Sequence, residues 1–437
     1  MLAKGIMHAI LAVLVVVQPA GLGLLLADEW PQWRGLNRDG VWHETGLLER
    51  FEEPRLEHRW RVPVSSGYSG PTVADGRVYV TDRVVKPREM ERVHCFQWQT
   101  GREIWSHAYD CSYGGVSYTA GPRAAVTIDQ GRAFSLGTMG HLHCYDAASG
   151  EIQWAMDLKE DYDIRIPIWG VSAAPLVHQE LLIVQAGGAD DACILALDKS
   201  DGTEVWRALD DRASYSAPLL IEQAGRRVLV CWTGAHVAGL NPDSGKVYWK
   251  HPFTPKKMII NVPTPVVEDN RLFVSAFYDG SLMLRLRQDE VAVEPLWRRR
   301  GANERRTDSL HAMISTPYLE GDYVYGVDSY GQLRCLDAHT GDRIWEDLTA
   351  VPTDRWANIH LVRNQDKIWM FNERGELIIS KLSPAGFEEI SRAKLIEPTT
   401  EQLSRRGGVC WSHPAFAYKH VFARNDQELV CATLASD

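Results

Sequence analysis

The residues of this 437-residue chain with the means to do chemistry return about once per repeat: Tyr68, Tyr118 with Arg123, Trp169, Tyr215, Asn261, His311, His360, and the pair Trp411 and His413. Aromatic faces with one arginine and three histidines are the parts of a ligand pocket, in which a few convergent polar groups orient a largely apolar molecule. Three histidines are also a zinc ligand set, provided that His311, His360 and His413 all reach a point about 2.0 to 2.1 Å from the metal. The bland alternative is that each of these side chains packs between repeats, with Arg123 in an ion pair to its neighbour. Nucleophilic catalysis has no motif behind it. Gly-x-Ser-x-Gly is absent, and Ser412 and His413 are merely adjacent.

Metal and redox chemistry are equally poorly provided for. Asp157, Glu160, Asp161 and Asp163 form an acidic run, but calcium asks for six to eight converging oxygens, and a loop run of carboxylates reads as solvated. The eight cysteines are Cys95, Cys111, Cys144, Cys193, Cys231, Cys335, Cys410 and Cys431, and no two are adjacent. Cys95, Cys144, Cys335 and Cys431 share one register in different repeats, which makes them buried strand fillers too far apart to pair. No Cys-x-x-Cys-His haem site is present.

What positions the candidate residues is a repeat, seen most plainly from Tyr330 to Trp345. An Asp or Asn stands four residues before a Gly, and a Trp four residues after it. The copies are Asp146, Gly150, Trp154; Asp198, Gly202, Trp206; Asn241, Gly245, Trp249; and Asp337, Gly341, Trp345, with Gln97, Gly101, Trp105 lacking only the acid. The acid or amide bonds its own backbone, and the Gly takes the positive φ that closes a hairpin. The Trp on the outgoing strand stacks between neighbouring sheets as a clasp, where one aromatic buries roughly 150 to 250 Å².

The predicted clasps are Trp60, Trp105, Trp154, Trp206, Trp249, Trp297 and Trp345, spaced by 45, 49, 52, 43, 48 and 48 residues. A second landmark opens each repeat, a small residue or two before Pro71, Pro122, Pro175, Pro218, Pro265, Pro317 and Pro414. Two periods separate the last two prolines, so a further opener falls at Asn358-Ile-His360, in a repeat where Ile390 stands in the clasp position. The strand at Trp60 lacks a repeat of its own, and the last repeat ends before its outer strand. Together they predict an all-β fold: an eight-bladed β-propeller of four-stranded antiparallel blades, closed by an N-terminal outer strand. The candidate residues then surround the funnel on its axis.

Residues 1–27 carry Lys4, an apolar run from Ala9 to Ala27 and a break at Gln18-Pro19, followed by Asp28-Glu29. They read as a signal peptide, with a retained membrane anchor as the competing reading. Residues 28–55 form a leader containing Trp30-Pro-Gln-Trp-Arg-Gly, and 56–437 form the propeller. A formal charge of −10 gives no basic face for nucleic acid or anionic lipid.

The pattern Leu-x-Cys-x-Asp-x-x-Thr-Gly-x-x-x-Trp resembles the tryptophan-docking repeat of the quinoprotein alcohol dehydrogenase-like propellers, named for pyrroloquinoline quinone (PQQ). Within them the chain is most similar to exported PQQ-like repeat proteins related to the outer-membrane assembly factor BamB. Trp30-Pro-Gln-Trp-Arg-Gly and Ala120-Gly-Pro-Arg123 resemble members from planctomycete-type bacteria. The resemblance implies PQQ held by Ca²⁺ in the dehydrogenases, between a Trp and a disulfide of adjacent cysteines, which this sequence does not have. Three functions stay open. The first is an exported, periplasmic or envelope scaffold without catalysis or cofactor, monomeric and bound to an envelope protein. The second is a Ca²⁺-dependent PQQ oxidoreductase. The third is a sugar-binding or hydrolytic propeller, which needs two carboxylates roughly 5 to 9.5 Å apart in the funnel.

Overall fold

A computed structural model describes residues 28–436; the segment read as a signal peptide lies outside the described residues. Strands come in sets of four with hairpin connections, and eight separate four-stranded antiparallel sheets result. Blades 1 to 7 span 72–110, 127–157, 176–208, 219–252, 266–299, 318–347 and 359–394. Blade 8 is made from both ends of the chain. Its three inner strands are Ala415–Ala417, His420–Arg424 and Glu428–Thr433, and its outer strand is His58–Pro63, with Trp60 paired to Cys431. The orphan strand thus fills the gap left by the incomplete last repeat. The single short helix among the described residues, Leu158–Tyr162, is one turn of chain; the acidic run supplies its cap, the Asp157 carboxylate accepting from the Lys159 amide at 3.0 Å.

The turn and clasp act as one device. In blade 2 the Asp146 carboxylate accepts from the amides of Ala148 and Ser149, and Gly150 adopts φ 77°. The indole of Trp105, from blade 1, lies directly on that glycine. A Cβ added there would meet the ring at 2.5 Å, so the position excludes a side chain for a steric reason beyond its backbone angle. The indole N–H then donates to a carbonyl of the next blade: Trp60 to Trp98, Trp105 to Ala147, Trp154 to Lys199, Trp206 to Pro242, Trp297 to Ala338 and Trp345 to Ser383. The cysteines of the shared register lie on the neighbouring strand opposite the clasp, Cys95 against Trp105 and Cys144 against Trp154. All eight are buried and unpaired, and burial pushes the Cys95 and Cys144 thiols up to about 12.

One clasp departs from the expected geometry. Trp249 faces blade 5, whose corresponding turn at 287–292 has no glycine to stack on. Its indole covers Gly239 of its own blade and donates to the Gln223 side-chain carbonyl at 3.0 Å, while the Gln223 amide reaches the Ala292 carbonyl at 2.6 Å. Gln223 therefore relays the inter-blade bond that the indole makes elsewhere. In blade 7, where Ile390 replaces the clasp, the leader intervenes: buried Trp42 and Phe51 pack on Trp369 and join the core shared by blades 7 and 8.

The leader does more than fill that seam. Trp30 bridges Val73 of blade 1, the Pro31 carbonyl accepts from the Ile128 amide of blade 2, and the Trp33 indole donates to Thr264 of blade 5 at 2.7 Å. Arg38, 3% exposed, donates to the carbonyls of Ala174, Pro175 and Pro218 in blades 3 and 4. The segment thus crosses the end of the axis and closes it.

Candidate functional site

On the other side of that plug, the loops that lead into the innermost strands surround a cavity of about 160 Å³. Eight of the ten candidates line it: Tyr68, Tyr118, Arg123, Trp169, Tyr215, His360, Trp411 and His413. The opener prolines explain this convergence. Each innermost strand begins at the axis, so the residues just before it face the centre of the ring.

Asn261 and His311 lie elsewhere. Asn261 is fully buried and donates to the Thr233 carbonyl at 2.8 Å within blade 4. His311 is also fully buried: Nδ1 donates to the Phe277 carbonyl at 2.9 Å and Nε2 accepts from the Gly301 amide at 3.0 Å. Both of its nitrogens are committed to holding blade 5 against the loop into blade 6. The three-histidine zinc arrangement is therefore not formed. His360 and His413 alone approach each other, with ring centroids 6.3 Å apart, and among the described residues no three His, Cys, Asp or Glu converge as metal ligands.

The histidines that do line the cavity are held neutral. Burial lowers His360 to about 4, helped by the nearby Arg34 charge, and lowers His413 to about 3, helped by His360. His360 Nε2 donates to the Trp411 carbonyl at 3.0 Å, and the edge of Trp33 packs on the His413 ring at 4.7 Å. Trp33 is the floor. Sequence reasoning missed this residue because the leader stands outside the repeat.

Arg123 departs from the ion pair expected of it. Among the described residues no carboxylate lies within ion-pairing distance; its guanidinium donates to the carbonyls of Ser117, Tyr118 and Gly121, and stands 5.0 Å over the Tyr68 ring. Carbonyls and a π-face thus take the place of a carboxylate partner.

The mouth contains a second missed residue, Trp356. It stands two residues before the Asn358-Ile-His360 opener, much as Trp411 stands just before Ser412, so a signal existed. Its ring packs edge-on against Tyr118 at 5.7 Å. Both residues have left-handed backbones, Tyr118 at φ 59° and Trp356 at φ 68°, a conformation that costs a residue with a side chain on the order of 1 to 3 kcal/mol and clusters at binding sites. Gln402 ties the arrangement across the seam: it donates to the Gly67 carbonyl at 2.7 Å and Ser412 at 2.9 Å, and accepts from the Trp411 amide at 2.7 Å.

With repeat, closure and axial site in view, comparison with known proteins is decisive for the family. The family model described as outer membrane protein assembly factor BamB matches residues 89–347 and 294–437. The chain belongs to that family. It is similar to the outer membrane protein assembly factor BamB of Shewanella oneidensis, 23% identical over 235 residues, 51% of this chain and 56% of that protein. It is also similar to 1-butanol dehydrogenase (quinone) of Thauera butanivorans, 26% identical over 159 residues, 33% of this chain and 25% of the dehydrogenase. The matches thus span about half the length of the first relative and a quarter of the second. Among solved structures, quinohemoprotein alcohol dehydrogenase from Comamonas testosteroni superposes with a TM-score of 0.65 at 12% identity, covering 94% of this chain and 81% of that one. That likeness is one of fold.

The dehydrogenase likeness makes PQQ the cofactor to test against these residues, and they do not fit it. A cavity of about 150 Å³ accommodates a benzene-sized group, whereas PQQ is a fused three-ring quinone. No carboxylate lines the cavity to hold a calcium ion, and buried Glu373, behind Trp411, is bonded to the Trp411 indole and Arg406. The same lack of a lining carboxylate removes the acid pair that glycoside hydrolysis needs.

Proposed function

We propose that this chain is an exported, non-catalytic propeller that acts as a protein-binding scaffold in the cell envelope, with residues 1–27 as its signal peptide and the monomer as its working form. Membership of the BamB family supports an assembly role. The observation that carries the reading is the axial cavity itself: aromatic walls, one guanidinium, a closed floor, room for about one ring, and no lining carboxylate or thiol to do chemistry. Such a site receives a side chain. Among the described residues no helix is long and apolar enough to cross a membrane.

Two measurements test this. A photo-cross-linking residue at Ile168, which is 47% exposed beside Trp169, should trap a discrete envelope protein, and Tyr118→Ala should abolish the adduct while leaving the protein folded. An adduct unaffected by Tyr118→Ala moves the binding face away from the mouth. Titration with PQQ and Ca²⁺ tests the oxidoreductase alternative: a ligand at 100 times its Kd stabilises a fold by about 2.7 kcal/mol, so binding is visible as a rise in Tm. No shift is expected; a saturable Ca²⁺-dependent one replaces the scaffold with a quinoprotein.

A further inference from the structure

The rim of the mouth carries an alternation of cations and aromatic rings that the cavity itself does not use. Lys257 stands 4.6 Å over Tyr278, the Tyr278 hydroxyl accepts from Arg355 at 3.4 Å, Arg355 lies 4.4 Å from the Trp356 ring, and Arg405 lies 5.0 Å from that same ring. These residues come from the loops into blades 5, 7 and 8 and from blade 5 itself, so the ladder runs along one side of the mouth. Its charges are poorly matched from within. Among the described residues neither Arg355 nor Arg405 has a carboxylate in ion-pairing distance, and Arg355 Nε is buried without a partner. Of the neighbouring acids, Glu304 pairs loosely with Lys257 at 3.8 Å, and Asp354 and Glu373 face Arg406, so the two guanidiniums are the unmatched charges. In a chain of formal charge −10, such a concentration of unmatched cation is a local feature.

We propose that the ladder binds an extended acidic polypeptide segment, whose carboxylates lie along Lys257, Arg355 and Arg405 while one apolar side chain enters the cavity. The inference rests on the mouth being the binding face. It is the geometry that selects an extended ligand over a small anion: Lys257, Tyr278, Arg355 and Arg405 stand outside the set of residues lining the cavity, so a molecule filling the cavity alone leaves the ladder empty. Guanidinium forks flanking an indole suit carboxylates, and the aromatic faces keep those cations in place through cation–π contact.

The test uses the purified protein and short synthetic peptides with one phenylalanine flanked by aspartates, by asparagines or by lysines, followed through indole fluorescence. Exposed carboxylate pairs are individually weak, so three together should make the aspartate peptide about tenfold tighter than the asparagine one. That margin should shrink as salt shortens the screening length from about 10 Å at 0.1 M towards about 3 Å at 1 M. Arg355→Gln with Arg405→Gln should cut the margin from about tenfold to about twofold, what the Lys257 pair alone supplies, and leave asparagine-peptide binding intact. Equal affinity for the aspartate and asparagine peptides overturns the acidic partner and leaves the binding mouth standing. Failure of every peptide to bind overturns both. Tighter binding of a single-stranded oligonucleotide than of the aspartate peptide, lost in the same double variant, assigns the ladder to nucleic acid and also overturns the proposal. A melting curve of the double variant matching that of the parent secures these comparisons.

Discussion

The two ends of the propeller axis are built from similar residues to opposite ends. At the closed end, Arg38 is buried and gives its donors to carbonyls of two blades, with a further bond to the Gln32 side chain at 2.7 Å. At the open end, Arg355 keeps a buried donor unpartnered and Arg405 reaches water across an indole. The same contrast holds for the aromatics. Trp33 is bonded to Thr264 and packed on His413, whereas Tyr118 and Trp356 sit on left-handed backbones around a void. A guanidinium whose donors are all committed is structural; one held in place with donors to spare is available to a ligand.

The largest expected effect comes from breaking the closed end. Burial pushes Arg38 down to about 9, yet its charge is retained because carbonyl oxygens surround it. Arg38→Met deletes bonds worth roughly 1.5 to 3 kcal/mol each to a charged donor and strands buried carbonyls, so a loss of about 3 kcal/mol or more is expected from urea unfolding. Arg38→Lys should recover little, because one ammonium cannot reproduce the fork that spans blades 3 and 4. A loss under about 1 kcal/mol would mean that the leader rests on the axis without closing it.

Between the two ends lie His360 and His413, and they make the axis sensitive to acid. Both are held neutral in the fold, His360 at about 4 and His413 at about 3, against an unfolded value of about 6.5. The unfolded chain therefore binds protons first as pH falls, and stability should be intact above about 6.5 and decline between there and about 4, by on the order of 3 kcal/mol per histidine. Glu373, Asp328 and Asp426, whose burial raises them, favour the fold in acid and work against the histidines near the bottom of that window. The double variant His360→Gln, His413→Gln should flatten the profile between pH 6.5 and 4.5. An unchanged slope would place the acid sensitivity elsewhere.

Much of this architecture was legible because it is encoded locally. Asp146, Gly150 and Trp154 specify a turn and a clasp within nine residues, and Trp60 announces a missing partner by standing alone. The openers before each proline likewise located the ring of eight lining residues. What the spacing does not encode is side-chain direction in the entering loops: His311 occupies the right repeat position and turns into blade 5. Long-range replacements were equally hidden. Gln223 completes the Trp249 clasp because the corresponding turn of the next blade lacks its glycine, and Trp42 and Phe51 fill the seam left by Ile390 from more than 300 positions away in the chain. The floor residue Trp33 belongs to the same class, since nothing in the leader's own pattern says that it crosses the axis.

The smallest effect is the sharpest test of the open end. At most positions glycine is less stable than alanine, because it gains more freedom on unfolding. Tyr118 should reverse that order. Its φ of 59° penalises any residue with a Cβ, by roughly 1 to 2 kcal/mol, which offsets part of what its half-buried ring gains against Trp169, Trp356 and Trp411, with centroids 5.7 to 6.5 Å away. Tyr118→Ala loses the ring and keeps the strain; Tyr118→Gly loses both. The glycine variant should therefore unfold within about 1 kcal/mol of the parent and be more stable than the alanine variant, while both lose peptide binding equally. If alanine is the more stable of the two, the backbone at 118 is unstrained, and the ring is held there by packing like its counterpart Trp33, with no conformation reserved for a partner.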